Sequence, residues 1–317
     1  MAASRLLGIE VGATKLQLVI GDATGRIHQR ERRTVDRSRA AAGIREQIAQ
    51  VIAQWRMSFE WQAVGVGFGG PVDGKTGRIA RSCHIEGWDD FPLGDWLAKL
   101  TNAPVIVEND TNAAALGESI FGAGCDANPV FYTNSGSGVG GGLVVDGRIY
   151  HGATPGEAEF GHLRFDKSGT IVEDRCSGWA LDRRVRAAAV AGGSVLSDLV
   201  PPGTGGGEAR QLSAAIMQGD PIAEAILTGA ADDLAFALSH VVHLFHPQVV
   251  ILGGGVSLIG EPWRAAIARA LPRYLMTAFQ PGPPVRLSAL GENVVPVGAL
   301  ACARKLVRSV APTRQPA

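Results

Sequence analysis

The feature that most narrows the fold of this chain is a pair of short β-rich runs on either side of Gly12-Ala13-Thr14, in RLLGIEVGATKLQLVI at residues 5 to 20. An extended run, a turn of small residues and a second extended run spell a β-hairpin. Asp22-Ala23-Thr24-Gly25 turns the chain again, and apolar residues from Ser38 to Trp55 fall at helical spacing. Ala63 to Phe68 is then a short buried strand ending in Gly69-Gly70-Pro71. A comparable series starts at Val130: a strand to Thr133, a turn in SGSGVGGG, a strand in LVVDGRIY, alanine-rich helices, and a strand at Val249 to Leu252. The repetition implies two similar α/β lobes. With 317 residues, 46% of them hydrophobic, each lobe can bury a core of its own. VPPGTGGGEAR, residues 200 to 210, reads as a surface loop, and the tail APTRQPA as disordered.

Thirty basic residues balance thirty acidic ones, so no net field draws nucleic acid or an anionic membrane to the chain. Cys83, Cys125, Cys176 and Cys302 form no CxxC or CxC pair and read as buried reduced thiols. The apolar run in MAASRLLGIEVGATK is too short for a secretory signal, and no stretch approaches the ~18 apolar residues of a bilayer span. The expected location is the cytoplasm.

Five segments carry candidate chemistry. The turn GATK leaves backbone amides open to a phosphate and sets Lys15 beside it, although the same residues suit an ordinary exposed hairpin. In the run from Ser135 to Gly142, five glycines remove side chains that would keep a backbone off a phosphate, and the serine hydroxyls add donors. The run lacks the lysine of GxxxxGK[ST], does not fit the dinucleotide spacing, and would equally serve tight hairpin packing. Gly253-Gly254-Gly255, directly after VVIL, either admits a flat ring or ribose to the backbone or simply turns the chain.

The apolar strand at Pro104 to Val107 runs into Glu108-Asn109-Asp110 and a helix-forming stretch, which puts these groups at a strand's carboxyl end, where open α/β sheets bind ligands. A phosphoryl-transfer enzyme needs one carboxylate there to accept the acceptor's hydroxyl proton, and Asn109 can donate and accept toward neighbouring hydroxyls. Either Asn109 or Asp110 also suits a helix N-cap. GEAEFGH brings together Glu157, Glu159 and His162, with Glu173 eleven residues beyond. Such carboxylates accept from the hydroxyls of a polyol; they make a poor zinc cage, and a solvated turn is the bland alternative.

Taken in order, these segments resemble the ROK family of bacterial sugar kinases and repressors over about residues 6 to 306. IEVGATK is similar to the family's first phosphate motif, GFGGPVD (67 to 73) to its GxxGPVD segment, and VENDTNAAALGE (107 to 118) to its catalytic strand and helix. SGSGVGGG resembles GTGIGGG, AEFGH (158 to 162) the GExGH sugar motif, and HPQVVILGGGVS (246 to 257) the adenosine-side strand. The resemblance implies an α/β, actin-like ATPase (ribonuclease H-like) fold whose two lobes close over hexose and ATP with Mg²⁺. The small lobe is expected at residues 1 to 112, with the C-terminal helix 298 to 310 packing back on it, and the large lobe at 113 to 297. It implies Asp110 as catalytic base, and Gly70, Asn109, Glu159, His162 and Glu173 at the sugar. The nucleotide falls to Glu10, Gly12, Thr14, Lys15, Gly136, Ser137, Gly138, Gly254 and Gly255, with Mg²⁺ near Glu10.

Three departures stand out. Glu10 replaces the usual Asp, and Ser137 replaces Thr with the hydroxyl kept. The zinc segment CxCGxxGCxE is missing: KSGTIV (167 to 172) occupies its place, although Glu173 aligns with its final acid, so no structural zinc is expected. The implied activity is ATP-dependent phosphorylation of a hexose, glucose at its 6-hydroxyl first, by a homodimer that binds neither nucleic acid nor membrane. N-acetylglucosamine, N-acetylmannosamine, mannose, allose and fructose are the other candidates, and His84-Ile85 stands where glucokinase-like members often have Asn-Leu. The rival is a sugar-binding regulator; with only Met1 to Arg5 ahead of the first strand, the sequence is expected to hold no helix-turn-helix.

Overall fold

The computed structural model describes residues 5–80, 85–154, 156 and 158–310, with side chains to 307. Cys83, His84, Glu157 and the tail from 311 lie outside the described residues. The chain divides into two compact units: Met1–Cys125 with Gly142–Glu157 and Glu292–Ala317, and Asp126–Gly141 with Ala158–Gly291.

The first unit is built on a sheet of order β3-β2-β1-β4-β7. β1 (Arg5–Val11) and β2 (Lys15–Asp22) form the expected hairpin, with Gly12 N–H donating to Lys15 O at 2.9 Å across the turn. β4 (Val64–Phe68) and β7 (Val105–Asn109) run parallel to β1, and β1 and β4 are almost wholly buried, as strands covered on both faces must be. The edge strand β3 (Ile27–Thr34) escapes a search for apolar runs because IHQRERRT turns charge to solvent, which also keeps an open edge from pairing with another chain. One face is covered by α1 (Ala40–Trp55) and α2 (Leu93–Thr101), around a core that includes Ile9, Leu18, Ile48, Val66 and Trp88. A two-stranded ribbon, β5 (Val72–Asp73) and β6 (Arg78–Ile79), completes this part.

On the other face lie α3 (Asp110–Phe121) and the C-terminal helix α10 (Val294–Val310), which packs on β1, β4 and α3. The approach is so close that a Cβ on Gly65 would overlap the carbonyl oxygen of Ala299, and one on Gly298 that of Ala113. Glycine is therefore required by the packing of helix backbone onto sheet and onto helix.

The second sheet has the order β10-β9-β8-β11-β12. β8 (Val130–Ser135), β11 (Val249–Gly253) and β12 (Val285–Leu287) are parallel neighbours. β9 (Val139–Val145) and β10 (Arg148–Ile149) correct the expectation of one strand in LVVDGRIY: the segment is a hairpin that reverses at Asp146-Gly147, both at positive φ, the conformation of a two-residue hairpin turn. β9 also takes over half of the glycine run, leaving Gly136 to Gly138 as the turn.

Helices α4 (Val172–Cys176), α5 (Gly178–Ala191), α6 (Leu196–Leu199), α7 (Gln211–Met217), α8 (Pro221–Phe245) and α9 (Glu261–Ala270) fill the second unit. α8 is long and apolar enough to cross a membrane by length and composition, contrary to the sequence reading, but 56% of its most apolar window is buried in the protein. Leu227, Leu234 and Leu238 face the core, while Asp232 and Asp233 pair with Arg273 and Arg175, as in a core helix of a globular unit. Burial pushes the thiols of Cys176 and Cys302 well up from their ordinary range. Cys125, by contrast, is exposed, because it sits in the loop beyond α3 rather than in a core.

Candidate active site

In the first unit the site starts from the end of β7. Asn109 is the N-cap of α3: its Oδ1 accepts from Thr111 N–H at 2.8 Å and Asn112 N–H at 3.1 Å, satisfying two of the helix's orphan donors. Its Nδ2 donates to Gly70 O at 3.2 Å, so the cap also ties the glycine turn after β4 to the helix start. Asp110 is thereby left in the first turn of α3, with Oδ1 accepting from the Thr111 hydroxyl at 3.2 Å. Next to it is Gly69: a Cβ there would lie 3.4 Å from Asp110 Oδ2, 3.4 Å from Val11 O and 3.7 Å from Gly12 Cα. Gly69 thus separates the carboxylate from the β1–β2 turn by little more than one atom's width.

In that turn, the carbonyls of Ala13 and Thr14 are taken by Arg37 Nε (3.3 Å) and Val35 N–H (3.1 Å), while the amides of Ala13 and Thr14 donate to no group among the described residues. Two adjacent amides without a protein partner are the kind of donor set that can receive an anion. Glu10, 8% exposed, binds Lys15 Nζ at 2.9 Å through Oε1 and Gln17 Nε2 at 2.6 Å through Oε2. Gln17, a polar side chain inside the apolar strand KLQLVI, was not singled out by sequence. Its period-two register with Lys15, on the same face of β2 and beside Glu10, is the signal that would have found it.

In the second unit, Gly136 N–H donates to Gly138 O at 2.8 Å and closes the turn between β8 and β9; the amides of Ser137 and Gly138 have no partner among the described residues. Gly136 O accepts from Gly178 N–H at 2.7 Å, and Glu173 Oε2 accepts from Val139 N–H at 2.9 Å. The later glycines do something else: a Cβ at Gly141 would press on Phe160 and one at Gly142 on Ala115, so these two serve packing. Glu159 and His162 are exposed and approach each other only to 4.0 Å. Between them, Gly161 lies so near β9 that a Cβ would overlap Val139 O. At the end of β11, Gly254 has φ 80° and packs on Asn134 and Ser135, whereas Gly255 faces open space. No group of three or more His, Cys, Asp or Glu among the described residues could hold a metal ion.

A family model described as the ROK family matches residues 6–306. The chain belongs to the ROK family. A glucokinase from Thermotoga maritima is 30% identical over 303 residues, 93% of this chain and 96% of the relative. The structure of a ROK family glucokinase from Streptomyces griseus, in complex with glucose and AMPPNP, superposes with a TM-score of 0.82 at 32% identity, covering 95% of this chain and all of that one. A ROK hexokinase from Thermus thermophilus does so with a TM-score of 0.77 at 29% identity, over 96% of this chain and 99% of that one. The chain has the actin-like ATPase fold of these ROK kinases. Within the first unit Gly70, Asn109 and Asp110 lie together beside Gly12, and within the second Gly136, Ser137 and Gly138 lie against Glu173. Thr111 and Val139, like Gln17, are neighbours that sequence reasoning missed. Thr111 is one of many small residues in a helix, and Val139 acts through its backbone, which no side-chain pattern reveals.

Proposed function

We propose that this chain transfers the γ-phosphoryl group of ATP to a hexose, glucose at its 6-hydroxyl before the other hexoses, with Asp110 as the general base. The observation that carries this reading is the place of Asp110 beside Gly69 and the Gly12 backbone, where the turn with the open Ala13 and Thr14 amides begins, which supports a proton acceptor near a phosphate cradle. The hexose oxygen attacks the γ-phosphorus, an O–P bond forms as the bond to the β-phosphate oxygen breaks, the hydroxyl proton passes to an Asp110 oxygen, and ADP leaves with the bonding pair. Asn109 and Gly70 place the hexose, and Glu159, His162 and Glu173 bind its other hydroxyls. The amides of Ser137 and Gly138 serve the nucleotide's phosphates, and Gly255 leaves room for the nucleoside.

Mg²⁺ bound with the nucleotide would spread the charge of its phosphates. Glu10 suits its water shell, because each carboxylate oxygen accepts one bond and keeps a second lone pair.

The similarity to glucokinases from two bacteria supports glucose as first candidate. The test is hexose phosphate formation over glucose, mannose, allose, fructose, N-acetylglucosamine and N-acetylmannosamine, with ADP release as the readout when ATP is the donor and hexose phosphate itself as the readout when polyphosphate replaces ATP. Glucose is expected to give the highest kcat/KM. Hexose phosphate from none of these sugars with either donor, alongside measurable sugar binding, would favour the regulator reading and sink the kinase.

A further inference from the structure

Glu173 has two carboxylate oxygens in different situations. Oε2 accepts the Val139 N–H at 2.9 Å, and Oε1 makes no hydrogen bond among the described residues. Val139 is the first residue of β9 and directly follows the Gly136–Ser137–Gly138 turn. Gly138 lies so close that a Cβ there would overlap Glu173 Oε2, so the carboxylate is seated against the turn's backbone. The same short stretch grips the turn at its other end, where Gly178 N–H donates to Gly136 O at 2.7 Å. The turn is thus held at both ends by residues 173 to 178. Val139 O in turn lies against Gly161, inside the Glu159 to His162 segment.

We propose that Glu173 is a positioning residue for the phosphate-binding turn: one oxygen holds the Val139 amide and keeps the neighbouring Ser137 and Gly138 amides presented to the nucleotide, while the other is left for a hexose hydroxyl. The inference rests on the kinase reading for its ligands, but it concerns nucleotide binding with no hexose present. A carboxylate that accepts a backbone N–H makes a charge-assisted bond, stronger than a neutral one, and the bond restrains a turn whose glycines otherwise leave it loose. Through this one side chain, hexose binding and the geometry of the phosphate cradle are joined.

The experiment separates acceptor from charge. Glu173→Gln keeps an acceptor oxygen at full reach and loses the charge, Glu173→Asp keeps the charge but withdraws it by one methylene, and Glu173→Ala loses both. ADP affinity with Mg²⁺, measured by calorimetry without hexose, is expected to be within about threefold of wild type in Gln and about tenfold weaker in Asp and Ala, the loss of one such bond. Hexose KM rises in all three. The Val139 amide, followed by residue-resolved hydrogen exchange, loses protection in Asp and Ala alone. Equal ADP affinity across all four proteins overturns the positioning role and leaves the kinase reading standing, whereas a wild type that binds no ADP overturns both. If Glu173→Ala does not fold, the comparison of Gln with Asp decides the question.

Discussion

Asp110 lies in the first turn of α3 and not at its cap, because Asn109 caps the helix. Replacing Asp110 by Asn keeps shape and hydrogen bonding but removes the proton acceptor. General-base catalysis is typically worth ~10²- to 10⁴-fold, so Asp110→Asn is expected to lose that factor in kcat while hexose affinity, read by tryptophan fluorescence or calorimetry, stays within about threefold. More than about a tenth of wild-type kcat at saturating hexose would show that another group takes the proton. Glu159, exposed and nearly free of protein partners, should behave differently. Glu159→Gln loses a charge-assisted bond to a hydroxyl, of about 1.5 to 3 kcal/mol, so the hexose KM rises by roughly 10- to 100-fold and the ATP KM does not. At this scale the sequence singled out Asn109, Asp110, Glu159 and Glu173 by their side chains and passed over Gln17 and Thr111. The open amides of the GATK turn were anticipated from its small residues, whereas Val139 was opaque, because it meets Glu173 through its backbone N–H, which no side-chain pattern marks.

Element boundaries followed the apolar pattern where burial sets them, as in β1, β2, α1 and β4, and departed from it where charge or a turn intervened, as in β3 and at Asp146-Gly147. α8 shows what a local signal can carry. Asp220 caps it, accepting from Ile222 N–H at 2.8 Å and Ala223 N–H at 3.1 Å, while its other oxygen accepts from Val195 N–H at 2.6 Å and the Ser194 hydroxyl. The Ser194 hydroxyl foremost, and the three backbone amides with it, outweigh burial and hold the carboxyl below the usual carboxylate range. A native value depressed below the unfolded ~3.9 means that its stabilisation is complete above about pH 4 and is lost as pH falls through the native value. Asp220→Asn should therefore melt several degrees lower at pH 7, with the gap to wild type closing on acidification below pH 4. A gap independent of pH would remove the charged cap from the account. For α10, Gly65→Ala forces a methyl against the Ala299 carbonyl, and an overpacking cost of about 1 to 3 kcal/mol is expected in denaturant melts.

For the molecule as a whole, the order of motifs along 317 residues was more informative than any one of them, because the ROK match spans residues 6–306. The return of α10 to the first sheet, nearly three hundred residues after β1, has no local signature and was expected only from the ROK resemblance; the glycines at 65 and 298 show what the contact requires. The missing zinc segment is the sharpest case of a deletion that needs a substitute. Residues 163 to 172 close on themselves, with Phe165 N–H donating to Thr170 O at 3.0 Å and Val172 N–H to Leu163 O at 2.9 Å. Phe165 stacks on Phe236 of α8 at 5.9 Å between centroids, the Arg175 guanidinium lies 5.1 Å from the Phe165 ring, and Arg175 pairs with Asp233 at 3.1 Å. A cation over an aromatic ring and a stacked pair each contribute about 0.5 to 1.5 kcal/mol, enough together to seat a short segment without a metal. Cys176, the thiol nearest to that segment in sequence, is buried and directed at Ala230 O, at 3.8 Å. Protein purified without a histidine tag is therefore expected to contain far less than one zinc per chain, and chelation followed by restored magnesium should leave Tm and hexose KM unchanged. Phe165→Ala and Arg175→Ala should each lower Tm and raise the hexose KM, because the seat they disturb leads directly into Glu173. Close to one zinc per chain by elemental analysis, or a loss of stability that only zinc restores, would mean that a metal and not this aromatic contact holds the segment.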